Sequence, residues 1–125
     1  VSGPAWIGFL VTAALGAPAR YLVDGWVEDR VGGAFPWGTF VVNMTGCLVL
    51  GVVTGLGLYH GLGDTTRTIV GTGGLGAYTT FSTLSFETVR LAEEGAVDRA
   101  FLNAAGSLLV GLAAAAAGLA LAAAL

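Results

Sequence analysis

Apolar positions in this chain come in long blocks rather than in strand-like alternation, and the blocks are separated by short charged stretches. A helix that spans a bilayer needs ~20 mostly apolar residues. Four segments meet that length: about 4–23, 38–59, 66–92 and 98–125. Ser2 stands where an N-cap belongs, and Pro4 falls in the first turn, where its missing N–H costs little. Charges collect between the blocks: Asp24, Glu28, Asp29 and Arg30, then Asp64 and Arg67, then Glu93, Glu94, Asp98 and Arg99. The pattern predicts an all-α membrane protein, a four-helix bundle with short loops, as one transmembrane domain over 1–125.

The third segment departs from a plain span. It reads GGLGAYTTFSTLSFE over 73–87, with glycines followed by hydroxyls threaded between apolar residues. Glycine costs a helix ~1 kcal/mol relative to alanine, so a break near 73–79 is expected. Broken backbone at membrane depth survives only where it is buried in protein or lines a wet cavity, and its free carbonyls can hold a cation. After the break, Ser82 with Ser85 and Thr80 with Thr83 stand three apart, beside a stripe of Phe81 and Leu84. Hydroxyls in membrane helices often bond their own i−4 carbonyl, which explains one or two of these more readily than five. An ion-handling site follows from this pattern, without the identity of the ion.

Composition supports the membrane class. The chain is 55% hydrophobic and 10% charged, with mean hydropathy +0.82, against roughly 25% charged for soluble domains. There is no lysine, and the five positive charges are all arginine. No basic cluster suits nucleic acid. The first block lacks the basic start of a signal peptide and is read as a retained helix. Four of the arginines (Arg20, Arg30, Arg90 and Arg99) belong near the side of the first and third loops, which places those loops in the cytoplasm and both termini outside.

Enzyme chemistry finds little support. His60 stands alone in a predicted loop, where a solvated role is expected, and Cys47 has no histidine base near it in sequence. GTGGLG at 71–76 looks like a phosphate loop, but no strand precedes it and no lysine follows. Glu87 is the one acidic residue expected within a helix. Asn43, in PWGTFVVNMTG, serves either an interhelical hydrogen bond or an amide donor for a passing anion. Arg20, in GAPARY, is expected at the end of the first helix, either snorkelling or shaping an electropositive vestibule. Gly51 with Gly55, Ser107 with Gly111, and Ala114 with Gly118 are small-xxx-small pairs, which suit packing within the chain or a dimer interface.

GTFVVNMTGCLVLG at 38–51 taken with GGLGAYTTFSTLSFE at 73–87 resembles the Fluc (CrcB-type) family of fluoride channels, and GAPARY and AFLNAAGS agree with it. The resemblance implies an antiparallel, dual-topology dimer in the cell membrane. Each dimer would carry two fluoride pathways and a structural sodium ion at its centre. By position, the carbonyls of Gly76 and Thr79 would hold sodium. Asn43, Phe81, Ser82, Thr83, Leu84 and Ser107 would line the fluoride pathway, with Arg20 and Glu87 in supporting places. One letter departs from the family pattern T-T-F-S-T-F-S: Leu84 stands at the second phenylalanine. That departure, with the arginine bias, raises the alternative of one subunit of a heterodimer. A small dual-topology multidrug-type exporter and a non-conducting assembly subunit are further alternatives.

Overall fold

The computed structural model describes residues 1–125 and is entirely helical. Its elements are α1 (Gly3–Val31), α2 (Trp37–Tyr59), α3 (Asp64–Arg67), a π-helical turn (Thr68–Leu75), α4 (Gly76–Tyr78), α5 (Phe81–Glu93) and α6 (Val97–Ala124). Helices α1, α2 and α6 are long and apolar enough to cross a membrane. The broken segment from Asp64 to Glu93 runs back along α2: Arg67 lies against Gly57 near the end of α2, and Glu87 meets Thr39 near its start.

Helix α1 begins as expected, with Ser2 Oγ accepting from the Ala5 N–H at 3.3 Å. It ends later than expected, at Val31 instead of near Val23. Asp24, Glu28, Asp29 and Arg30 are therefore helical, and the first loop shrinks to residues 32–36. Charge marks where a helix leaves lipid, not where it stops. The first true stop signals are Gly32 and Gly33, at φ 63° and 89°. The 29 residues of α1 extend roughly 43 Å at 1.5 Å per residue, more than the ~30 Å hydrocarbon core. Glu28, on the emergent turns, accepts from the Gly38 N–H at 2.9 Å and so caps α2 from across the loop. Arg30 lies over the Trp26 ring at 3.9 Å. Pro18 sits inside α1. Arg20 is consequently within the helix and not at its end.

The small-residue pairs on α2 and α6 act within the chain. A Cβ on Gly55 would meet the Ala122 methyl at 2.5 Å, and one on Gly118 would lie 2.8 Å from the Val52 backbone nitrogen and 3.1 Å from Gly51 Cα. In lipid, where apolar burial drives little, such backbone approach carries the packing. Helix α1 uses the same device against the π-helical turn. A Cβ on Gly73 would stand 2.8 Å from Thr12 Oγ1 and 3.0 Å from the Phe9 carbonyl oxygen, while Thr12 Oγ1 donates to the Ile69 carbonyl at 2.7 Å. The glycines of the third segment therefore permit contact with α1; they do not break the helix. The ladder continues through them in π form and fails only at Thr79–Thr80.

His60 is also more than a solvated loop residue. Its Nε2 bonds the Ala122 carbonyl at 2.7 Å, tying the end of α2 to the last turn of α6.

Candidate functional site: a helix break clamped beside a cavity

Thr79 and Thr80 are extended, at φ/ψ −78°/162° and −147°/121°. Three sets of bonds hold them there. The Thr79 N–H and hydroxyl both donate to the Leu75 carbonyl at 2.9 Å, closing the upstream helix. Thr80 Oγ1 accepts from the Thr83 N–H at 3.1 Å and caps α5. Between these two, Asn43 clamps the Thr80 backbone from both sides: Nδ2 donates to the Thr80 carbonyl at 2.9 Å, and Oδ1 accepts from the Thr80 N–H at 2.8 Å. Thr45 Oγ1 bonds the Tyr78 hydroxyl at 2.9 Å, and the Thr79 side chain packs where Gly46 lacks one.

The clamp has a chemical consequence. In an unbroken helix the Thr80 N–H would bond the Gly76 carbonyl; here it goes to Asn43, so the Gly76 carbonyl loses its i+4 partner. An amide side chain has two N–H donors, and Asn43 commits one of them to Thr80. The second is left for the cavity that Asn43 lines.

That cavity, about 930 Å³, opens between α2, α5 and α6 beside the break. Asn43, Phe81, Leu84 and Ser107 line it, as do Gly76 and Thr79. Phe81 stands at the start of α5 with 81% of its surface exposed in the single chain. Ser82 and Thr83 do not line the cavity: Ser82 is exposed on another face, and Thr83 is taken up in the cap, where its Oγ1 accepts from Thr80 Oγ1. Ser85 and Thr88 line it instead. With Phe81 they follow the helical spacing i, i+4, i+7, so periodicity from the observed start of α5 would have found them.

A polar column joins α5 to α6 along this wall. Thr88 Oγ1 donates to the Leu84 carbonyl at 2.7 Å and accepts from Asn103 Nδ2 at 2.9 Å. Asn103 is 1% exposed and Ser107 6%, yet Asn103 Oδ1 and Ser107 Oγ have no protein partner. Buried polar atoms are normally satisfied; the Ser107 hydroxyl is an orphan on the cavity wall itself, and Asn103 Oδ1 lies one turn away on α6, behind that wall. Farther along, Glu87 accepts from the Thr39 hydroxyl, level with the third residue of α2 and thus near one end of the bundle. Arg20 is half-buried on α1 and forms no ion pair; Asp24 follows it by one helical turn.

A bundle of membrane-length apolar helices around a broken, clamped segment, with a largely apolar cavity that carries a few polar groups from Asn43, Ser85, Thr88 and Ser107, defines a multi-pass membrane protein. The chain belongs to the CrcB-like (camphor resistance, CrcB) family, whose model matches residues 7–119. It is 47% identical over 113 residues to the fluoride-specific ion channel FluC 1 of Streptomyces avermitilis, covering 90% of this chain and 91% of that protein. It is equally 47% identical to the FluC 1 channel of Frankia casuarinae, over 94% and 95% of the two chains. The fluoride-specific ion channel FluC 2 of Mycobacterium bovis is 43% identical over 88% and 84%. The chain is accordingly a multi-pass protein of the plasma membrane.

Proposed function

We propose that this chain is a fluoride-selective channel that lets fluoride leave the cell passively and so relieves its toxicity. The observation that carries the proposal is the Asn43 clamp on the same cavity wall as the unpartnered Ser107 hydroxyl, in a chain whose relatives are named for fluoride. Fluoride is small and strongly hydrated, so a selective path must replace water with N–H, O–H and polarised C–H groups. The free Nδ2 hydrogen of Asn43 and the hydroxyls of Ser85 and Ser107 are donors of the first two kinds. The Phe81 ring has a positive edge for the third. Ser82 and Thr83, expected in the pathway, lie off the cavity in the single chain; their part in the path would require a second subunit.

In this proposal the segment from Asp64 to Glu93 crosses the bilayer as a fourth, broken span, and two antiparallel copies form the conducting unit with two pores. Phe81, exposed on one chain, would then meet the partner. A structural sodium ion fits the break, because Gly76 and Thr79 present hard, neutral carbonyl oxygens on a segment released from its helical ladder. One chain supplies two such oxygens, and a second copy would supply the remainder. A central positive charge lowers the cost of an anion nearby in low dielectric.

Leu84 lines the cavity where the family pattern has phenylalanine, which keeps open a heterodimeric channel whose other subunit supplies the missing ring. If the chain works alone with a relaxed second position, Leu84→Phe should raise its fluoride flux severalfold. If the chain requires a partner, Leu84→Phe alone restores none. Proton-coupled export of larger solutes is disfavoured, because Glu87 lies near one end of the bundle rather than at the midplane.

Planar bilayers fused with the purified chain test the selectivity. Single-channel current should be carried by fluoride and vanish when chloride replaces it on both sides. Equal currents in the two salts would contradict the proposal.

A further inference from the structure

A second pocket lies at the end of the bundle away from the acidic turns of α1. It measures about 430 Å³ and is walled by α2 on one side and by α3 and the π-helical turn on the other. Three of its lining residues, Leu50, Gly71 and Thr72, also line the large cavity, so the two spaces are neighbours. Arg67 supplies its one positive charge. The stem of Arg67 lies flat against α2 because residue 57 is glycine: a Cβ there would stand 2.7 Å from Arg67 Nε.

The guanidinium is only partly used. One terminal nitrogen pairs with Asp64, whose carboxylate is 89% exposed, while the Nε–H is buried without a protein partner. A buried guanidinium N–H without an acceptor is costly, and a guanidinium cannot escape by losing its proton. The pocket walls offer only hydroxyls beside it. The Thr68 hydroxyl is committed to the Asp64 carbonyl at 2.9 Å, but those of Thr54 and Thr72 have no protein hydrogen bond and point to no competing role.

We propose that Arg67, with the hydroxyls of Thr54 and Thr72, forms a binding station for a small anion at this mouth, from which the anion passes along Thr72 and Gly71 into the large cavity. The inference rests on the fluoride-channel reading for the identity of the anion. Its chemistry follows from the pocket: one fixed cation whose exposed terminal nitrogens face it, two hydroxyls without a protein partner, and a carboxylate that competes for the same guanidinium. The distribution of charge agrees. Asp24, Glu28, Asp29, Glu87, Glu93, Glu94 and Asp98 lie toward the other end together with Arg20, Arg30, Arg90 and Arg99, while Asp64 and Arg67 are the charged side chains here. The excess of carboxylates at the other end leaves the Arg67 mouth the less acidic of the two. Asp64 tunes the station, because an anion must displace it from one face of the guanidinium.

Fluorine-19 NMR of sodium fluoride titrated into the full chain in maltoside micelles tests the station apart from conduction. Wild type should show saturable exchange broadening, and Arg67→Gln should weaken that response about tenfold, the factor for one lost charge-assisted hydrogen bond. Asp64→Asn should shift saturation to lower fluoride. Thr54→Val with Thr72→Val, which leaves Arg67 and its contact with α2 in place, should weaken binding severalfold while thermal stability is retained. In liposomes, the fluoride concentration at half-maximal flux should rise in Arg67→Gln with the limiting flux less affected.

Fluoride broadening equal in wild type, Arg67→Gln and the double threonine variant would overturn the station. So would an unchanged fluoride response together with Arg67-dependent binding of phosphatidylglycerol, which would assign the guanidinium to a lipid phosphate. A wild type that conducts fluoride while these variants behave identically removes the station and leaves the channel reading intact. A wild type that binds at Arg67 without conducting does the reverse.

Discussion

Asn43→Asp is expected to lower fluoride flux by more than about tenfold while the chain still folds into its helical bundle. The substitution is nearly isosteric, and the carboxylate can still accept from the Thr80 N–H, as Oδ1 does now at 2.8 Å. It loses both amide donors. One of these holds the Thr80 carbonyl at 2.9 Å; the other is the group available to an anion in the cavity. A negative charge would then stand beside a carbonyl oxygen and across the anion's path. The stability cost of the lost donor and the unsatisfied carbonyl is about 1–3 kcal/mol, so unfolding should move to lower temperature without collapse. Flux through liposomes, read beside a thermal melt in detergent, separates the two effects. Asn43→Asp with wild-type flux would remove Asn43 from the pathway.

Gly118→Ala should be the most damaging single methyl in the chain. Its Cβ would lie 2.8 Å from the Val52 nitrogen and 3.1 Å from Gly51 Cα, with the Leu48 carbonyl also in contact, all of them backbone atoms of α2. A flexible side chain could turn aside; a helix backbone cannot. Either α2 and α6 separate or the methyl overlaps, and overpacking of this kind costs about 1–3 kcal/mol. Because α2 and α6 form two walls of the cavity, flux should fall together with stability. Gly25→Ala is the control, since a Cβ there meets nothing within 4 Å and the loss of a helical glycine should be neutral or stabilising. Equal thermal stability for the two variants would show that α2 and α6 do not depend on this contact.

Much of this arrangement was legible in the residues. Helices α2 and α6 fall within one residue of their expected bounds, because each is a clean apolar block between short polar stretches. The N-cap at Ser2 was legible for the same reason, a local rule with one strong residue type. The end of α1 was not. Four charged residues after Val23 suggested a loop, whereas the helix simply continues beyond the hydrocarbon until two glycines with positive φ stop it. Propensity alone misplaced the role of the glycines at 71–76. It prices each glycine against alanine in isolation, and at Gly16 and Gly73 it was the neighbouring helix that required a missing Cβ. The break itself lies at Thr79–Thr80, at the downstream edge of the expected 73–79 window, where a side chain from α2 takes over the backbone bonds, and no local pattern reveals such a partner.

The candidate site was half legible. Asn43, Phe81, Leu84 and Ser107 share one cavity, although they are up to 64 positions apart in sequence (107 minus 43). Ser82 and Thr83 were expected in the pathway from the family resemblance; in the single chain neither lines this cavity. Once Thr80 is fixed as the cap of α5, the cavity-facing stripe becomes Phe81, Leu84, Ser85 and Thr88, and Thr83 belongs to the cap itself. Asn103 is buried behind the wall and joined to Thr88, which adds a polar group beyond the hydroxyl-rich stretch that first drew attention.

Passive fluoride flux through this chain alone is the most direct measurement. Liposomes loaded with potassium fluoride and carrying only the purified 125-residue chain should release fluoride to an external electrode when valinomycin clears the accompanying potassium. Release should need no imposed proton gradient, and chloride-loaded vesicles should stay silent. Fluoride retained at the rate of protein-free vesicles, in the presence of correctly folded chain, would contradict a channel formed by this subunit on its own.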